Sequence, residues 1–123
     1  MPKTKPLISV VDDDESMREA VRGLMKSLGY RAETFASAEE FLNSRQVGRT
    51  SCLIADVQMP GMTGLDLHRH LVASGKTIPT ILITAYPDDK MRLSALEDGV
   101  VGYLSKPFDE NDLLACIDSS LTI

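Results

Sequence analysis

The chain has 123 residues, the usual size of one domain and enough to bury a core without disulfides or a structural metal. Hydrophobic residues make up 43% and charged residues 25%, an ordinary globular balance. Its 18 acids against 13 bases give a formal net charge of −5, which argues against direct nucleic-acid binding and against docking on an anionic membrane, both of which need clustered Lys and Arg.

Taken in chain order, apolar runs alternate with helical patterns. The first run, Leu7–Val11, is nearly all aliphatic and predicts a strand buried on both faces. Met17, Ala20, Val21, Leu24 and Leu28 then recur at helical spacing, with Gly29 as the stop. Arg31–Phe35 alternates polar and apolar residues, as an edge strand does. Ser37 and Glu40 form a capping-box pattern that opens a helix carrying Phe41 and Leu42. Residues 52–55 and Thr80–Thr84 are further buried strands, separated by a helix over 64–74 that Gly75 ends. A fourth helix over 88–98 has acids in its first turn and Gly99 after its last. Residues 100–104 predict the fifth strand, and 111–121 a fifth helix with Leu113, Leu114, Ile117 and Leu121 on one side. Residues 1–6 read as a loose terminus. Strict strand-helix alternation implies an α/β fold with a parallel sheet and helices on both faces.

The remaining features are plain. Cys52 and Cys116 are too few and too far apart for a disulfide framework or a zinc cluster, and read as small buried hydrophobes. No apolar run approaches the ~20 residues of a spanning helix, and nothing resembles a signal peptide, so a cytoplasmic location is expected. His68 and His70, two apart on a helix, do not share a face and are expected at the solvated surface. Arg18, Arg22 and Lys26 predict a solvated helix face, and Met17, Met25 and Met91 helix-packing filler.

Ligands of open α/β sheets bind at the carboxyl ends of the strands. Asp12, Asp13 and Asp14 follow the first strand, Asp56 ends the third, Thr84 and Ala85 end the fourth, and Ser105-Lys106-Pro107 follows the fifth. Asp14 suits the role of cap for the first helix. Asp12, Asp13 and Asp56 repel one another unless a cation joins them. Hard oxygen donors without His or Cys point to Mg²⁺ or Mn²⁺. Three carboxylates, one divalent cation and the Lys106 ammonium are together neutral. A phosphoryl group held by the metal, Lys106 and the Thr84 hydroxyl suits phosphoryl transfer to a carboxylate nucleophile. Asp56 is the best candidate, because the adjacent pair Asp12 and Asp13 is better placed to hold metal. The turn Met59-Pro60-Gly61-Met62-Thr63-Gly64 allows positive φ and close backbone approach at its glycines, and would let the backbone carbonyl of Gln58 turn inward as a metal ligand. Met59 and Met62 flank this loop as a shield. Lys106-Pro107, where Lys must point into the site, is a candidate cis peptide at Pro107.

The pieces Val11-Asp12-Asp13, Asp56 through Gly64, Thr84-Ala85 and Gly102 through Phe108 stand in the order and spacing of a known family. The chain resembles the CheY-like receiver domains of two-component response regulators, over residues 6–121 of a single domain spanning 1–123. The segments around Thr34 to Phe41 and Lys106 to Glu110 look most like the FixJ-like branch. The resemblance implies a doubly wound five-stranded parallel sheet in the order 2-1-3-4-5. It implies that Asp56 accepts phosphate from a sensor histidine kinase, that Asp13, Asp56 and the Gln58 carbonyl bind Mg²⁺ directly, and that Asp12 does so directly or through water. Lys106 would contact the phosphoryl group, Thr84 would swing toward it and Tyr103 would follow inward. The rearranged face made by the fourth helix, fifth strand and fifth helix would then engage a partner, often a second receiver in a homodimer. Gln58 and Tyr86, two residues beyond Asp56 and Thr84, would flank the phosphoryl group and tune its lifetime. FixJ-like proteins usually carry a C-terminal helix-turn-helix DNA-binding domain, so the chain is either a single-domain regulator or a receiver from a longer parent.

Two rival functions remain. A small phosphohydrolase using an aspartyl phosphate needs a second acid beside the nucleophile, but Val57 and Gln58 follow Asp56, so a regulatory role rather than an enzyme is expected. A phosphorylation-independent interaction module on the same fold leaves the acidic cluster without a purpose.

Overall fold

The computed structural model describes residues 5–121. Strands and helices alternate as β1 (Leu7–Val11), α1 (Glu15–Ser27), β2 (Arg31–Phe35), α2 (Ala38–Leu42), β3 (Cys52–Asp56), α3 (Gly64–Ala73), β4 (Thr80–Thr84), α4 (Asp89–Glu97), β5 (Gly102–Ser105) and α5 (Glu110–Leu121). The sheet runs β2-β1-β3-β4-β5 with every neighbouring pair parallel, the expected doubly wound order. Every residue of β1, β3 and β4 is buried, because these central strands carry helices on both faces. On edge strand β2 Ala32 and Phe35 are buried while Arg31 and Glu33 face solvent.

Alternation along each strand divides the core in two. Ile8, Val10, Ile54, Ile81 and Ile83 pack with Val21 and Met25 of α1 and Leu113 and Ile117 of α5. Val11, Leu53, Ala55 and Leu82 pack with Phe41 of α2, Leu67 and Leu71 of α3 and Ala95 of α4. Met25 is fully buried, while Met17 and Met91 pack half-buried against the two clusters. Helices α1, α3 and α4 stop at Gly29, Gly75 and Gly99, each with positive φ. Among the described residues, no helix is long and apolar enough to cross a membrane.

Several local expectations need correction. The fifth strand begins at Gly102, not at residue 100. Val100 is apolar because it packs beneath the end of α4, where its N–H bonds to the Ala95 carbonyl at 3.0 Å. Only half of the α2 capping box forms as expected. The Ser37 hydroxyl accepts from the Glu40 N–H at 3.0 Å, but the Glu40 carboxylate accepts from Ala36 rather than Ser37. A 3₁₀ turn at Val47–Arg49 has no periodic signal in the sequence. Of the expected loose terminus, residues 1–4 lie outside the described part, while the Lys5 and Pro6 carbonyls accept hydrogen bonds from Arg31. Cys52 is buried, but Cys116 is only half-buried.

His68 is the largest correction. It is 5% exposed, on the inward stripe that also carries Gly64, Leu67 and Leu71. Its Nε2–H donates to the Asp98 carbonyl at 2.8 Å, and Nδ1 bonds with the Thr80 hydroxyl at 3.1 Å. The same 3.6-residue period that buries His68 leaves His70 exposed.

Candidate functional site

Four strand ends meet at one edge of the sheet. Asp12 directly follows β1 and is fully buried. Its Oδ1 accepts from the Asp14 N–H at 2.9 Å, and its Oδ2 accepts from the Lys106 ammonium at 3.0 Å. Asp14 itself caps α1, accepting from the Ser16 and Met17 amides. Asp13, between them, is exposed. Asp56 ends β3 and is 5% exposed. Its Oδ1 accepts from the Gln58 N–H at 3.1 Å, and its Oδ2 accepts from the same Lys106 ammonium at 3.2 Å. Lys106, the residue after β5, reaches both with its ammonium, and its bond to Pro107 is cis.

Burial, and then the neighbouring Asp12 charge, raise the Asp56 pKa above the ordinary carboxylate value, although Lys106 and the Gln58 N–H pull the other way. Burial pulls the Lys106 pKa down, but the Asp12 hydrogen bond and the charges of Asp12 and Asp56 outweigh it and leave a net rise. Lys106 is therefore a firmly charged ammonium shared by two buried carboxylates.

One carboxylate oxygen each from Asp12, Asp13 and Asp56 lies within 4.8 Å of the others. One ammonium does not balance three such groups, and the donors are hard oxygens throughout. Both observations fit a divalent, oxygen-preferring cation.

Thr84 ends β4 and is fully buried. Its hydroxyl donates to Gln58 Oε1 at 2.6 Å and accepts from the Tyr86 N–H at 3.0 Å. Tyr86 itself is 74% exposed. Tyr103, on β5, is half-buried against the α2–α3–α4 side of the core. Its hydroxyl is already buried and finds no hydrogen-bond partner among the described residues. The structure thus brings Asp12, Asp13, Asp56, Lys106, Gln58 and Thr84 together, with Tyr86 joined through its backbone. Among the described residues no hydrogen bond ties the Tyr103 hydroxyl to this group.

Two participants were not legible in the sequence. Arg18, expected on a solvated face, donates from Nη1 to the Asp12 carbonyl at 2.7 Å and braces the turn after β1. The side chain of Gln58, read only as a backbone ligand and a flanking group, holds the Thr84 hydroxyl. Gly64 makes the close backbone approach expected of this loop, since a Cβ there would stand 2.5 Å from the Asp56 carbonyl oxygen, while the positive φ expected of the loop glycines occurs at Gly61 and not at Gly64. Met59 is buried and Met62 half-buried beside this loop, both packed into the core. A separate cavity of about 370 Å³, lined by His68, Val72, Lys76, Ile78, Pro79 and Asp98 among others, involves none of the site residues.

Residues 8–118 match the response regulator receiver domain family. The chain is 40% identical over 123 residues to the response regulator protein TmoT of Ectopseudomonas mendocina, covering 100% of this chain and 56% of that one. It is 33% identical over 118 residues to the transcriptional regulatory protein FixJ of Bradyrhizobium diazoefficiens, covering 96% of this chain and 58% of FixJ. Among solved structures, the response regulator StyR superposes with a TM-score of 0.88 at 42% identity, over 96% of this chain and 60% of that chain. The chain thus spans little more than half the length of these relatives. The chain belongs to the response regulator receiver domain family, on its FixJ-like side.

Proposed function

We propose that Asp56 is the phospho-acceptor of this receiver and that a sensor histidine kinase supplies the phosphoryl group. Phosphorylation-dependent switching is the standard function of the family, a regulatory role rather than that of a true enzyme. The observation that carries the assignment to Asp56 is the sharing of one ammonium by two buried carboxylates at the carboxyl edge of the sheet. Both carboxylates have their two oxygens hydrogen-bonded, but Asp12 is fully buried and serves as a fixed anchor, whereas Asp56 keeps 5% exposure. Asp56, at the loop opening toward Gln58, is the carboxylate that attacks phosphorus as the bond to the donor's nitrogen or oxygen breaks. Lys106 then follows a phosphoryl oxygen with the charge it now gives to Asp56. Thr84 donates its hydroxyl to another, and Tyr103 responds from β5. The chain accepts phosphate from small donors and loses it to water by the same chemistry, with Gln58 and Tyr86 tuning the lifetime.

Receiver domains generally bind Mg²⁺ at an acidic pocket. Here Asp12, Asp13, Asp56 and the Gln58 backbone carbonyl would hold it, or Mn²⁺ in its place. When bound, the cation offsets the carboxylate charge and the charge on the transferring phosphoryl oxygens. The face formed by α4, β5 and α5 is the proposed output surface. Its helix α4 carries Leu93 and Leu96, both exposed large hydrophobics, and a second receiver is the proposed partner. In a longer parent chain a C-terminal DNA-binding domain would be the proposed output, and the proposed location is the cytoplasm.

Incubation with acetyl phosphate and Mg²⁺, followed by intact-mass measurement, tests this reading. The wild-type chain should gain one phosphoryl group, and Asp56→Asn should gain none. No gain in wild type would overturn it.

A further inference from the structure

Thr84 has one hydroxyl proton, and the structure shows where it is spent. The proton goes to Gln58 Oε1 at 2.6 Å, while the Tyr86 N–H occupies a lone pair of the same oxygen at 3.0 Å. Gln58 also touches the nucleophile, because its backbone N–H donates to Asp56 Oδ1 at 3.1 Å. A single residue is therefore bonded to both the carboxylate that receives the phosphoryl group and the hydroxyl that responds to it.

We propose that Gln58 is a positioning residue that latches the switch: its side-chain carbonyl holds the Thr84 proton until a phosphoryl oxygen competes for it. The inference rests on Asp56 as acceptor and Thr84 as the responding hydroxyl. It differs from a role in phosphate lifetime, because the latch acts before any phosphoryl group arrives.

Burial makes the latch two-state. Thr84 is fully buried, so its hydroxyl needs a protein or ligand partner rather than bulk water. On switching, the hydrogen bond to Gln58 Oε1 breaks and one to a phosphoryl oxygen forms. The proton stays on Thr84, and no covalent bond changes. Gln58 is exposed, so its freed carbonyl turns to water at little cost. The latch then has the net strength of an ordinary neutral hydrogen bond, a bias of about fivefold in the switching equilibrium.

The test is a double-mutant cycle read by the affinity of beryllium trifluoride, a phosphoryl mimic, in the presence of Mg²⁺. Gln58→Met keeps the length of the side chain and removes the acceptor. It should bind the mimic about fivefold more tightly than wild type. In a Thr84→Ala background the same substitution should change affinity less than twofold, since there is no hydroxyl to release. In a Thr84→Ser background, which keeps the hydroxyl, the gain should return. An unchanged or weaker affinity of Gln58→Met, or an equal gain in the Thr84→Ala background, would overturn the latch and show that Gln58 acts on the phosphoryl group directly. Absence of binding by wild type would instead remove the phospho-acceptor reading and the latch with it.

Discussion

Gly64→Ala is the sharpest structural perturbation the site offers. A Cβ at this position would lie 2.5 Å from the Asp56 carbonyl oxygen, 3.0 Å from the Asp56 carbonyl carbon and 3.0 Å from Leu82 Cδ2. Comfortable contacts to carbon begin near ~3.5 Å, so helix α3 and the end of β3 must separate by up to about 1 Å. Two of the three contacts are backbone and cannot rotate away. Overpacking of this kind costs about 1–3 kcal/mol, and a displacement of that size at a nucleophile lowers rate by roughly 10- to 100-fold. Gly23→Ala is the control. Gly23 lies inside α1 with nothing within 4 Å of its added Cβ, so helix propensity alone should stabilise that variant by about 0.5–1 kcal/mol. Urea unfolding followed by circular dichroism measures stability, and the initial rate of phosphorylation by acetyl phosphate measures function. A Gly64→Ala variant within about 0.5 kcal/mol of wild type at full phosphorylation rate would refute the claim that close approach of α3 positions Asp56.

Other predictions are independent of that contact. Asp13 is exposed and no hydrogen bond to its side chain is seen among the described residues, so Asp13→Ala should change metal-free stability by less than about 0.5 kcal/mol. Wild type should gain roughly 2.7 kcal/mol at a Mg²⁺ concentration one hundred times its dissociation constant, and thermal melts of Asp13→Ala in the same Mg²⁺ should lose most of that gain; an equal gain in both would exclude Asp13 as a ligand. Tyr103→Phe removes a buried hydroxyl that has no partner among the described residues and should raise the unfolding free energy by about 1 kcal/mol, whereas a loss of that size would reveal a partner. Burial pushes the Cys52 thiol up to about 11 from its ordinary 9.0. The folded chain therefore holds this proton after the unfolded chain has released it, and stability falls as pH rises from about 9 toward 11. Denaturation at a series of pH values should show wild type losing up to roughly 2–3 kcal/mol relative to Cys52→Ala across that window, and parallel curves would contradict it.

What the sequence reveals here depends on how far apart the interacting residues lie. The aliphatic runs of β1, β3 and β4 announce themselves because both faces are buried and no polar residue interrupts the pattern. Caps such as Asp14 and stops such as Gly29 are equally local. Strand order places Asp12, Asp56, Thr84 and Lys106 at one edge before any coordinate is known. The misreadings involve partners distant in sequence. His68 is buried because Thr80, 12 positions on, and Asp98, 30 positions on, satisfy its ring, and nothing near residue 68 signals either partner. The bond between Gln58 and Thr84 spans 26 positions, and its existence depends on the path of the loop after β3. Val100 misleads for the opposite reason, since an apolar residue closing a helix and one opening a strand look alike in a short window.

Reductive trapping measures the central claim most directly. The chain is phosphorylated with acetyl phosphate and Mg²⁺, treated with borohydride to reduce any acyl phosphate to an alcohol, and sequenced by tandem mass spectrometry. The reduced side chain should appear at position 56 alone, and should vanish when Mg²⁺ is withheld. Its appearance at Asp12 or Asp13, or its absence from the whole chain, would contradict the assignment of Asp56 as the residue that carries the phosphoryl group.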